Sequence, residues 1–245
     1  MLAFPPARNS MDHDMIAVRP APLVKTTVSA SAAKYLRSEI IGGGIRAGDS
    51  LPEARIGELL GVSRVPVREA LVILEREGLV TFDRRGTARV RTFTLEDVRE
   101  LGVMRLVLEP MAARLAANRG DATALGEIAR NLTNLKRART LSDITGLDFE
   151  YHRLIMAAAG NSRLSASWEN LASQLRVVMR LFHQAWERKT LAVRINTVKA
   201  HAALFDAISR GDGAGAESIA REQAEGWLVE LGESGAFDSP VEARE

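Results

Sequence analysis

Hydrophobic and polar positions divide the chain into two regimes. Between Leu51 and Arg91 the apolar period changes from helical to alternating, and from Thr94 onward it stays helical. Ile56, Leu59 and Leu60 recur at helical spacing until Gly61, which supplies a left-handed stop. Ser63 is placed to cap a second helix, Pro66 falls in its first turn, and Val67, Ala70, Leu71 and Leu74 form its apolar stripe. Gly78 ends that helix. Leu79 to Phe82 and Thr87 to Arg91 then read as two short strands around Asp83-Arg84-Arg85-Gly86, which predicts a β-hairpin.

Beyond that hairpin the pattern predicts helices at about 95–118, 121–139, 142–159, 162–188, 191–209 and 213–232, with Thr94, Glu96 and Asp97 marking the first start. Breaks fall at Arg119-Gly120, Gly160-Asn161 and Arg210 to Gly213. The expected organisation is mainly α. A disordered arm (1–28) precedes a winged helix-turn-helix domain (29–92), an antiparallel all-α bundle (93–232) and a flexible tail (233–245).

The polar face of the second helix suggests what the first domain does. Arg64 and Arg68, four apart, share the side opposite the apolar stripe, where a helix laid in a major groove puts guanidinium forks on guanine edges or phosphates. Arg84, Arg85, Arg89 and Arg91 gather on the hairpin, a wing suited to the sugar-phosphate backbone. The bland alternative is a small helical domain with a solvated basic hairpin. A net charge of +2 over 245 residues does not argue for nucleic acid, so the clustering carries the argument. With no cysteine, disulfides and thiolate zinc sites are excluded. No apolar run approaches a membrane span, and Met1 to Pro22 lacks a signal-peptide core, so the expected location is cytoplasmic.

The bundle holds one suggestive constellation. Asp148 and His152, four apart, project from one helix face as a ligand pair must. His201 lies ten residues before Gly211 and Gln223 twelve after it, so an antiparallel hairpin of the last two helices sets them nearly opposite each other.

The stretch from Leu51-Pro52-Glu53 through Gly61-Val62-Ser63-Arg64-Val65-Pro66-Val67-Arg68-Glu69-Ala70-Leu71 to Gly86 resembles the GntR family of bacterial transcription regulators. Val65 stands where Thr is frequent and Gly57 where Ala is usual. Gly57 is expected to weaken its helix by under about 1 kcal/mol. The resemblance implies DNA contacts from Arg64, Val65, Arg68, Arg84 and Arg85, with Gly86 letting the wing approach the duplex. Further on, Asp148-Phe149-Glu150-Tyr151-His152, the run through Ala158, Gly160, Asn161 and Leu164, His201 to Ile208 with Gly211-Asp212, and Arg105, Leu108 and Glu109 resemble the FCD effector domain of the FadR branch.

That branch implies a homodimer on a palindromic operator and a small-molecule effector with a carboxylate, contacted by Arg105 and Gln223. It also implies a divalent ion (Zn, Ni or Mn) on Asp148, His152 and His201. Gln223 departs from the pattern, replacing a third histidine with a weak amide ligand. The alternative is a hydrogen-bonded polar cluster without metal, and for Arg105 a buried ion pair with Glu109. His183 reads as a surface or satisfied core residue, His13 as part of the arm, and Trp168, Trp186 and Trp227 as core or dimer contacts. A ligand-responsive regulator, not an enzyme, is therefore expected. The rival is a metal-dependent hydrolase with an appended DNA-binding module. It lacks an HExxH helix, a Gly-x-Ser-x-Gly turn and a phosphate loop.

Overall fold

The structure, a computed structural model, describes residues 27–185, 190–233 and 237. His13 and the rest of the N-terminal arm, Trp186 and nearly all of the tail lie outside the described residues.

The chain begins with α1 (Val28–Gly42), a helix the hydrophobic pattern did not single out. Its inward stripe is built mostly from small residues, Ser29, Ala32 and Ala33, before reaching Leu36 and Ile40. α2 (Glu53–Leu60) and α3 (Arg64–Arg76) follow, joined by Gly61 at φ 66°. α2 starts two residues later than the apolar pattern suggested, and Leu59 is 68% exposed, so Ile56 and half-buried Leu60 alone carry its inward face. Ser63 occupies the cap position of α3 without making a side-chain bond.

Gly57 does more than weaken a helix. It is buried, and a Cβ there would lie 2.7 Å from the Val62 carbonyl oxygen, so the missing side chain is what lets α2 close onto the turn.

Two strands, β1 (Val80–Phe82) and β2 (Ala88–Val90), pair antiparallel with Val80 opposite Val90 and Phe82 opposite Ala88. Then come α4 (Leu95–Arg119), α5 (Ala122–Arg137), α6 (Leu141–Ala158), α7 (Ser162–Ala185), α8 (Thr190–Ser209) and α9 (Gly213–Glu233). Thr94 and Asp97 close a capping box at the start of α4. The molecule is thus a helix-turn-helix with a two-stranded wing, followed by a helical bundle. In the bundle α4 packs along α9, and α6 lies against α4, α5 and α7.

One apolar cluster runs through both parts: Leu36 and Ile40 of α1, Leu71 and Leu74 of α3, Val98 and Leu101 of α4, and Leu175 and Val178 of α7. Among the described residues no helix is long and apolar enough to cross a membrane.

Candidate functional site

Two sets of residues carry chemistry. The first lies on α3 and the wing. Val67, Ala70, Leu71 and Leu74 are fully buried, as their spacing predicts, which turns Arg64, Val65, Arg68 and Glu69 outward. Arg68 approaches Glu53 at 3.8 Å across solvent, a contact too exposed to hold it.

On the wing, Asp83 accepts hydrogen bonds from the backbone N–H groups of Thr87 and Arg85, which hold its carboxyl below the usual carboxylate range and shape the tip. Gly86 takes φ 77° there. Arg84 and Arg85 are exposed and form no ion pair among the described residues. The other two wing arginines turn elsewhere. Arg89 reaches the Gly48 carbonyl at 3.3 Å and Asp83 at 3.8 Å, and Arg91 pairs with Asp97 at the start of α4.

The second set lines a cavity of about 240 Å³ between α4, α6, α7, α8 and α9. α6 presents Asp148 and His152 one turn apart, as their spacing requires. The Asp148 Oδ1 lies 2.7 Å from His201 Nε2 and 3.6 Å from His152 Nε2. One ligating atom from each of the three falls within 4.8 Å of the others, and all three residues are buried. Gln223 donates its amide to the Ala200 carbonyl at 2.8 Å, beside His201, so α8 and α9 stand in the register predicted from their distance to Gly211.

Glu109 is the cluster's main acceptor. It takes Arg105 Nε at 2.8 Å and Nη2 at 3.1 Å, Trp168 Nε1 at 3.1 Å, and His152 Nδ1 at 3.2 Å. The ion pair expected from the i,i+4 spacing therefore forms, and Arg105 also stacks over Trp227 at 4.5 Å, which makes Trp227 a wall of the cavity.

Burial alone would lower the pKa of His152, but the Glu109 and Asp148 carboxylates outweigh it and raise it to about 9. A charged His152 donates from both ring nitrogens, and the 3.2 Å approach of Arg105 Nη2 to its Nε2 is then a contact between two donors. Burial likewise opposes ionisation of Asp148, yet His152 and His201 hold it well below the carboxylate range. At His201 and His183 burial prevails and lowers the pKa despite Asp148. Two buried nitrogens of residues that line the cavity have no hydrogen-bond partner among the described residues: Arg105 Nη1, a donor, and His201 Nδ1, an acceptor while Nε2 donates to Asp148.

His183 was not singled out from the sequence as a cavity residue. It is buried with Nδ1 2.7 Å from Thr145 Oγ1, hence satisfied as expected, but its Nε2 also stands 3.6 Å from Asp148 Oδ2 in the cavity wall. The signal was available, because Leu175, Val178, Met179 and Phe182 form the buried stripe of α7 and His183 continues it.

The model of the bacterial regulatory proteins of the gntR family matches residues 28–90, and that of the FCD domain matches residues 100–225. The chain belongs to the GntR family. This GntR-family regulator of the FadR type is 28% identical over 231 residues to the probable D-xylose utilization operon transcriptional repressor of Paenarthrobacter nicotinovorans, covering 90% of this chain and 96% of that one. It is 30% identical over 152 residues to the gluconate operon transcriptional repressor of Bacillus subtilis, a stretch covering 61% of this chain and 62% of that protein. A GntR transcriptional regulator from Rhodococcus sp. RHA1 shares its fold, with a TM-score of 0.72 at 24% identity over 85% of this chain and 99% of that one. These relatives are regulators of transcription, not enzymes, which removes the hydrolase alternative.

Proposed function

We propose that this GntR-family regulator is a dimeric, cytoplasmic repressor that reads a palindromic operator and responds to a small organic acid bound between Arg105 and Gln223. The observation that carries this reading is the buried N–H donor without a partner, Arg105 Nη1, on a residue that lines the cavity beside Gln223. Leaving a buried donor unmade costs about 1–3 kcal/mol, so a carboxylate that reaches Arg105 Nη1 would stabilise the protein. The naming of two relatives after D-xylose and gluconate operons supports a sugar-derived ligand, and gluconate is the one of the two that carries a carboxylate.

The Asp148, His152 and His201 donor set fits a divalent ion such as Zn, Ni or Mn. Glu109, by accepting the Nδ1 proton of His152, leaves Nε2 as the nitrogen that would release its proton to an ion, as carboxylates behind metal-bound histidines do. Such an ion would supply a Lewis-acidic anchor for the effector carboxylate, with Gln223 offering only a weak amide oxygen.

Thermal denaturation against a panel of sugar acids, with zinc and with chelator, tests both parts. One acid should raise the melting temperature of the wild type without being consumed, and Arg105→Lys should lose that gain. Chelator should lower the wild-type melting temperature, and Gln223→His should widen that drop by adding an imidazole. Indifference of both proteins to zinc, nickel and manganese would leave the polar cluster without metal as the correct reading.

Dimerisation rests on α4. Val103, Met104, Val107 and Met111 stand exposed along one side of the helix, Val107 at 62%, an apolar stripe with no cover among the described residues. A second copy of the same helix covers it symmetrically, which suits an inverted-repeat operator. Val107→Asp should therefore shift the mass seen by light scattering at micromolar concentration from dimer to monomer. A wild type that is already monomeric would refute the assembly.

A further inference from the structure

A second cavity, about 430 Å³, lies where α1 meets the bundle, well within the size range of small-molecule sites. Ile41 from the end of α1, Ser142 and Thr145 from the first turns of α6, Phe149 beneath them, and Arg176 and Arg180 from α7 line it. No acidic residue is among its lining residues.

Among the described residues neither guanidinium has a carboxylate within ion-pair distance. Arg176 stacks on Phe149 at 4.6 Å, and Arg180 hydrogen-bonds the Gln184 side chain at 2.9 Å. The Nε of Arg180 is buried with no partner, and burial lowers the pKa of that side chain. Gly43, just past α1, faces the same guanidinium: a Cβ there would lie 2.8 Å from Arg180 Nη1.

Two arginines one helical turn apart, unneutralised among the described residues, with hydroxyls beside them and an apolar floor, describe a receptor for an oxyanion. We propose that this junction cavity binds a phosphate group, gripped by Arg176 and Arg180, and that the bound group fastens the DNA-binding part to the bundle. The phosphate comes either free or as the ester of a small metabolite whose carbon part rests on Ile41 and Phe149. The site is separate from the acid-binding cavity. One residue joins their walls, Thr145, whose hydroxyl meets His183 across from Asp148.

The test is thermal denaturation of the full chain with inorganic phosphate or a hexose phosphate, against chloride at matched ionic strength. Either phosphate should raise the melting temperature, by about 5–11 °C at a hundredfold excess over Kd. Equal shifts from both probes mark free phosphate as the ligand, and a larger shift from the hexose phosphate marks the ester. Arg176→Gln and Arg180→Gln should each abolish the shift.

Without phosphate, Arg180→Gln should melt no lower than the wild type, since the hydrogen bond it removes, to Gln184, is exposed and the charge it removes is uncompensated. That arm distinguishes a ligand grip from a purely structural arginine. A wild type that responds to phosphate no more than to chloride, a shift that persists in the Arg176→Gln/Arg180→Gln double variant, or a destabilised phosphate-free Arg180→Gln would each overturn the proposal. Arg105→Lys should keep the phosphate shift while losing the sugar-acid one, so the two sites stand or fall separately.

Discussion

Glu109→Ala should destabilise the protein by about 3–5 kcal/mol, more than any other single substitution considered. One carboxylate serves Arg105, His152 and Trp168, all of them buried. Its removal leaves a guanidinium, an imidazole and an indole N–H without an acceptor, and the Arg105 charge without its counter-ion. Because a kilocalorie moves the melting temperature of a chain this size by about 2–4 °C, the drop should exceed about 6 °C. Trp168→Phe removes only one of the three bonds and should cost far less. Thermal or urea denaturation checks both, and a loss below about 1 kcal/mol for Glu109→Ala would show that the cluster does not organise the bundle.

The second large effect is on DNA. Arg64→Ala and Arg68→Ala should each weaken operator binding by about 1–3 kcal/mol, and the double variant by close to the sum unless the two side chains share a contact. Stability should not change. Both side chains are exposed, and the lone contact of Arg68, to Glu53 at 3.8 Å, is of the kind worth about 0–1 kcal/mol. The measurement is a gel shift at fixed salt on an operator located by footprinting upstream of the protein's own gene and its neighbours. Unchanged affinity in both variants would mean that α3 does not face the duplex.

Much of this arrangement could be read from local spacing. The α3 stripe, the hairpin, the Asp148–His152 pair and the register of α8 against α9 each depend on residues close in sequence or on a distance counted from one turn. α1 escaped because alanine and serine make a weak apolar signal while packing as closely as leucine would. Glu109 was visible only as a partner for Arg105. That it also receives Trp168, 59 residues away, depends on how α4 meets α7, which no local pattern encodes. Gly57 illustrates the opposite error. Helix propensity counts its missing side chain as a cost, whereas the fold uses the space it leaves.

The contacts between the two halves have a consequence for anyone who would exchange them. Glu77, at the end of α3, accepts from Ser173 of α7 at 3.0 Å as well as from Arg37 of α1. Gly78 leaves room for Gln174, whose side chain would lie 2.6 Å from a Cβ placed there. A reading head transplanted onto a foreign sensor would keep the Arg37–Glu77 pair but lose Ser173 from Glu77 and Gln174 from Gly78, exposing part of an apolar cluster that is continuous here. Modular as the family's sequence blocks are, a working chimera of this chain would have to import the matching face of α7 along with the head.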